Sequence, residues 1–338
     1  MESIYFRQPE MEVSILAYSK IKPQDEELHT IGEGENWQES WYFNWADERH
    51  NLFGLTRIGY RFRQEQIDGL ILTIRNGKPE YLYPAVNLPY RGDWTEVTAK
   101  DGLQAKNLVY KAEEPLKKWR LLLEGKDAMD LTWEAYTPVF DFHAFGQDVP
   151  ANVAGRHFEQ CGRVKGWTRF KGRELEINGF GQRDKSWGVR DWAEIEGWNW
   201  ISAQFGEDFG FNIWEGFLNR KIYYNGFVFI NGENFPVEKA VISFKWGKYK
   251  HLPLEAGLEI YYRSGNILRV SVSALGHFPL AKKGLWIQES HAQFTTELKG
   301  KIRKGIGVIE HAYHVGILGT LIRLPRMPNV MIKAMMPF

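Results

Sequence analysis

The sequence predicts an all-β chain of antiparallel strands, and three observations carry that prediction. Apolar residues recur mostly with a period of two, as the faces of strands do. Asn-Gly pairs and other glycine-centred turn signals follow one another along the chain. Aromatic residues reach 15%, with 14 Trp, 15 Tyr and 21 Phe beside 33 Gly, and that pairing favours strands joined by tight turns over helices. Many short strands with turn signals imply sandwiches or barrels, because closing a sheet removes its unpaired edges.

The elements follow in order. In "ESWYFNWADERHNLFGLTRIGYRF" apolar residues fall on alternating or nearly alternating positions, and Gly54 and Gly59 punctuate the run as in bent strands. "GLILTIRNGKPEYLYP" reads as a hairpin turning at Asn76-Gly77, and the same dipeptide recurs at Asn178-Gly179, Asn225-Gly226 and Asn231-Gly232. "EEPLKKWRLLLEGKDAMDLTWEAY" offers a helix start at Pro115, but Gly125 interrupts it and Leu131, Trp133 and Ala135 alternate with polar neighbours, so strands are preferred. "LEIYYRSGNILRVSVSAL" adds a hairpin at Ser264-Gly265-Asn266, and "HAQFTTELKGKIRKGIGVIEHAYHV" adds another. At 338 residues the chain suits two units of about 150 residues each. "FGQDVPANVAGRHFEQCG" is the best boundary, dividing residues 1–150 from 151–338.

Composition excludes several classes of function. Forty-three basic side chains against forty-two acidic ones leave a formal charge of +1, which is no footprint for nucleic acid. The single cysteine, Cys161, excludes an internal disulfide and a thiolate metal cluster, and is expected to be a small buried hydrophobe in a reducing, cytoplasmic setting. The first residues show no export leader, and charges interrupt each apolar run short of a membrane span. The apolar end, "GILGTLIRLPRMPNVMIKAMMPF", is expected to pack on the body, with peripheral membrane contact for substrate access as the alternative.

Phosphate-cradling, nucleophile-elbow and zinc-helix signatures are absent, and "GEGENW" and "GFGQRD" carry only two glycines of a dinucleotide fingerprint. His311 and His314 stand three apart, which on a strand puts the imidazoles on opposite faces, so neither a metal nor a cofactor is expected. His143 reads as a satisfied interior histidine.

What remains is "GFGQRDKSWGVRDWAEIEGWNW", residues 179–200, which crowds four tryptophans among charges that dislike burial. If the segment is extended, Gln182, Asp184 and Ser186 face one way while Arg183 and Lys185 face the other. Further on, Trp198 and Trp200 share a face, with Asn199 and Ile201 opposite. Two readings stay open. In the first, Arg183, Asp184, Arg190 and Asp191 form an ion network and the tryptophans are core. In the second, the segment lines an aromatic pocket that holds a carboxylic acid. Burial beside indole raises a carboxyl pKa, so the group can donate a proton near neutral pH, and aromatic faces stabilise the carbocation that protonation of a C=C bond creates. Trp41, Trp45 and Trp133 are core in either case, unless the barrel interior is itself the ligand cavity.

"GFGQRDKSWGVRDW", the tryptophan-rich strand after it, "GIGVIEHAY" and the early "ESWYFNWADE" resemble the carotenoid 1,2-hydratase (hydroxyneurosporene synthase) and AttH-like family, over residues 39–313. The resemblance implies two consecutive lipocalin-like β-barrel halves, the second carrying the R-D-x-S-W-G segment. It implies protonation of an isoprenoid double bond and capture of the cation by water. Carried over, Asp184 is the donor or its partner, and Arg190 and Asp191 orient it together with Arg183. Trp187 lines the reacting end, and Glu310 approaches the same cavity. Trp192, Trp198, Trp200, Trp41 and Trp45 complete the substrate-binding set. Lys185 stands where many members carry histidine, so no imidazole role is carried over there. Hydration or cyclisation of a hydrophobic isoprenoid-like alkene is the expected function. A non-catalytic binding protein for a hydrophobic small molecule or lipid is the alternative, since the fold alone does not settle activity.

Overall fold

The computed structural model describes residues 19–144, 155–190, 195–263, 265–282 and 284–329. These residues are almost entirely β, as the sequence predicts. The first sheet contains β1 (Trp37–Asp47), β2 (Leu52–Arg61), β3 (Gln66–Arg75), β4 (Lys78–Pro89), β5 (Leu103–Ala105), β6 (Leu108–Glu114), β7 (Lys118–Leu123), β8 (Ala128–Ala135), β9 (Phe140–Asp141), β10 (Arg156–Phe170) and β11 (Arg173–Val189). Its order is β4-β3-β2-β1-β11-β10-β8-β7-β6-β5, with β9 on β10. The sheet curls until it is nearly closed: a Cβ on Gly69 of β3 would stand 2.6 Å from the Cβ of Ala105 on β5. A second set, β12 (Gly197–Gln204), β13 (Phe209–Leu218), β14 (Lys221–Ile230), β15 (Glu233–Trp246), β16 (Pro253–Tyr262), β17 (Asn266–Lys282), β18 (Leu285–Leu298) and β19 (Lys301–His314), forms a closed antiparallel barrel.

Period-two patterning fills both interiors. Along β1, Trp41, Phe43 and Trp45 point into the first barrel and pack with Tyr60, Tyr110, Trp119 and Trp133. Phe43 meets the Tyr110 ring edge-on at 5.3 Å, an arrangement that suits the ring quadrupoles. Ile201, Phe211, Ile213, Val237 and Phe294 fill the second barrel. The intervening positions build a third apolar cluster between the barrels from Phe53, Leu72, Ile74, Phe278, Val308 and their neighbours. Each fully buried side chain of this size contributes about 1.5–3 kcal/mol, so the seam is held by the same force as the cores.

The division of the chain differs from the expectation. Residues 156–189, assigned from the sequence to the second half, form β10 and β11, which pair with β8 and β1. The R-D-x-S-W-G segment therefore lies in the first sheet, and the second barrel starts at Gly197. The expected boundary between residues 150 and 151 lies outside the described residues, and the two strands that follow it complete the first sheet. The hairpins at Asn76-Gly77 and Asn231-Gly232 form, with positive φ at all four residues. Asn178-Gly179 and Asn225-Gly226 lie inside β11 and β14 instead. There the glycines serve close strand approach: a Cβ on Gly226 would meet the carbonyl oxygen of Asn212 at 2.2 Å.

After β19 comes the one α-helix among the described residues, α1 (Gly316–Arg323). The expected packing of this end on the body is partial. Met327 is buried and Arg326 lies over Tyr249 at 4.3 Å, while Ile317, Leu318, Leu321 and Ile322 are exposed. Among the described residues no helix is long and apolar enough to cross a membrane.

Candidate active site between the barrels

Strand register brings the polar residues of the seam into two facing rows. Across the outer face of the first sheet, Leu70, Arg57, Tyr42, Asp184 and Glu159 are successive cross-strand partners on β3, β2, β1, β11 and β10. Across the second barrel, Phe278, Glu289, Glu310, Trp200 and Trp214 do the same on β17, β18, β19, β12 and β13. Between the rows lies a cavity of about 610 Å³, also lined by His157, Arg190, Trp198, Ile287 and Lys282. Its volume falls within the range of small-molecule sites, and its wall is mainly apolar with a few convergent polar groups.

The alternation expected for residues 182–186 is what splits their chemistry. Arg183 and Lys185 point into the first barrel, where burial would be prohibitive without partners. Arg183 forms a two-pronged pair with Glu26, at 3.0 and 2.5 Å, and lies over the rings of Trp133 and Phe158 at 5.4 and 5.0 Å. Lys185 pairs with Glu39, and its Nζ stands 3.7 Å from the centre of the Trp41 ring. Burial alone would raise the Glu39 carboxyl, but Lys185 and His29 overcome it and hold it below its ordinary range. The basic side of the segment is thus structural.

Asp184 faces the cavity. Burial pushes its carboxyl up to about 6, against the opposing pull of Arg190 and Arg57. Beside it, Glu159 is fully buried and pushed up to about 8 by loss of hydration. Glu159 accepts hydrogen bonds from Gln182 at 2.5 Å and, across the seam, from the Trp200 indole at 2.9 Å. His157 Nε2 lies 2.9 Å from the same carboxyl, and burial holds that imidazole down at about 4, neutral at physiological pH. On the opposite wall, Glu289 and Glu310 are paired carboxyls on adjacent strands. Burial and the proximity of Glu310 hold Glu289 well above the carboxylate range, and burial also raises Glu310. The pair therefore gives up its protons less readily than free carboxyls do, because two like charges cannot easily share a dry site. The Trp198 indole donates to Glu310, so both tryptophans fix a carboxyl through the indole N–H and line the cavity.

Of the residues singled out from the sequence, Asp184, Arg190, Trp198, Trp200 and Glu310 meet at this cavity. Arg190 is anchored by a 2.7 Å hydrogen bond to Ser186. Trp41 and Trp45 belong to the interior of the first barrel instead. Trp187 stacks on His29 at 4.1 Å and faces the same side as Lys185, because odd positions of β11 point inward. None of these three lines the cavity. Asp191 and Trp192 lie outside the described residues. The expected ion network of Arg183 with Asp184 does not form, since the two side chains occupy opposite faces. Tyr42, Arg57, His157, Glu159, Trp214 and Glu289 were missed. Their signal was the strand alternation itself, with Tyr42 outward between inward Trp41 and Phe43.

Solved structures share this architecture. Kievitone hydratase from Nectria haematococca superposes with a TM-score of 0.64 at 15% identity, covering 88% of this chain and 94% of its own. An AttH-like protein from Nitrosomonas europaea gives 0.61 at 14% identity, covering 87% and 96%. CghA, solved with Sch210972, gives 0.59 at 11% identity, covering 83% and 89%. At such identities the likeness speaks for the fold, and at that level the resemblance to AttH-like proteins is met. No curated protein matches the chain. Residues 22–315 match the family described as domain of unknown function (DUF7064), and the chain belongs to that family.

Proposed function

We propose that the inter-barrel cavity catalyses the addition of water to, or cyclisation through, a C=C bond of a hydrophobic isoprenoid-like molecule by proton transfer, without a cofactor. The observation that carries this reading is the Glu289–Glu310 pair, two cross-strand carboxyls that burial and mutual repulsion raise above their ordinary range, set in a wall of indole rings. A proton from the pair adds to one alkene carbon. The cation left on the other carbon is stabilised by the faces of Trp198, Trp200 and Trp214, which are poor nucleophiles. For hydration, water attacks the cation and loses a proton to Asp184, which at about 6 is mainly ionised at neutral pH. Return of that proton to the glutamate pair closes the cycle. Asp184 is thus the base and the donor is the pair on the facing wall, where the resemblance implied Asp184 as the donor or its partner.

Kievitone hydratase, a protein of the same fold whose name denotes a hydration, supports this reading. Incubation of the purified protein with apolar extract of its host, followed by mass spectrometry, tests the reading. A product heavier by one water, or an isomer of equal mass, is expected. Glu310→Gln should lower its rate by about 10²-fold or more while ligand affinity is kept. The same product formed undiminished by Glu310→Gln would overturn the assignment, and an unchanged ligand copurifying with both proteins would favour a binding protein.

A further inference from the structure

The cavity holds one cationic group that neither the acid pair nor Asp184 explains. Arg57 stands on the outward face of β2 and lines the cavity. Its neighbours at the site are tied down: Arg61 reaches Asp68 at 3.0 Å and Asn87 at 2.6 Å, and Arg190 reaches Ser186 at 2.7 Å. Arg57 has no ion pair or hydrogen bond through its guanidinium among the described residues, and Asp68 and Asp184 act on it only at longer range. Its nitrogens are not sealed by protein either, so they open on the cavity.

Room for this guanidinium is built into the strand. Gly59 follows on the same face of β2, and a Cβ there would lie 2.6 Å from Nη1 and 2.8 Å from Nη2 of Arg57. Lys282, from β17 of the facing barrel, lines the same region, and burial together with Arg57 pushes its ammonium down to about 7. A guanidinium is a rigid fork of donors whose geometry matches a carboxylate through two parallel hydrogen bonds. Withdrawing it from water without a partner is costly, and a ligand oxyanion would supply that partner.

We propose that Arg57 anchors a carboxylate at the polar end of the bound molecule, so that the cavity takes an acidic amphiphile in preference to a neutral one. This rests on the reading of the cavity as a small-molecule site. The apolar remainder of the ligand then lies against Leu55, Leu70, Leu280, Ile287 and the indole wall.

Titration calorimetry with dodecanoate and dodecanol, two probes of equal chain length, tests the anchor at equilibrium and independently of turnover. The wild-type protein is expected to bind dodecanoate at least about 10-fold more tightly, as a charge-assisted hydrogen-bonded pair gives. Arg57→Met should bring the ratio close to one while dodecanol binds as before, and Arg57→Lys should fall between. Equal affinity for the two probes in the wild-type protein would overturn the anchor, as would a ratio unchanged in Arg57→Met. Neither probe binding the wild-type protein would overturn the cavity reading together with the anchor. Retained preference without product formation would support the anchor and count against the proposed chemistry alone.

Discussion

Arg183 and Asp184 are adjacent in the sequence and sit in different environments, one inside a barrel against Glu26 and the other in the seam. That separation allows Asp184 to titrate near neutrality, and it gives the pH profile a definite sign. Asp184 as base must be ionised, so hydration should fall as pH drops through about 6, by about tenfold per pH unit below it. Asp184→Asn should be slow throughout and lack that limb, whereas an acidic limb unchanged by the substitution would assign it to another group. At this scale the sequence was legible in part. The two faces of residues 182–186 follow from strand geometry alone, and so does the shared face of Trp198 and Trp200. The pairing of Glu310 with Glu289 was not legible, because it depends on the register of β18 against β19.

Among elements, β11 bears the most, running seventeen residues with one face in the first barrel and the other on the cavity. Its inward ion pairs are positioning devices as much as stabilising ones, since they fix the strand from which Asp184 projects. Arg183→Met should leave Glu26 buried and unpaired and lower stability by about 3–5 kcal/mol. The double substitution Arg183→Met with Glu26→Leu should recover much of the loss, as read from urea midpoints. A single substitution costing under about 1 kcal/mol would show that water reaches the pair. The hairpins that form at Asn76-Gly77 and Asn231-Gly232 were visible in their turn chemistry. Asn225-Gly226 misled because the same dipeptide also serves where two backbones approach closely inside a sheet.

At the scale of the whole molecule, two barrels with filled interiors leave the seam as the place for a large cavity. The sequence showed barrels but not the seam, and it divided the chain before β10 because local composition says nothing about which strands close a sheet. The seam also explains why indoles and acids are interleaved near residue 200: Trp200 ties β12 of one barrel to Glu159 on β10 of the other. The central claim is that the glutamate pair delivers a proton to carbon in this cavity. The most direct measurement is carbon-bound deuterium in the product after incubation of the protein with apolar host extract in deuterium oxide. One deuterium fixed on carbon by the wild-type protein, with the labelled product formed about 10²-fold or more slowly by Glu310→Gln, is the predicted result. Product formed without carbon-bound deuterium would contradict the claim.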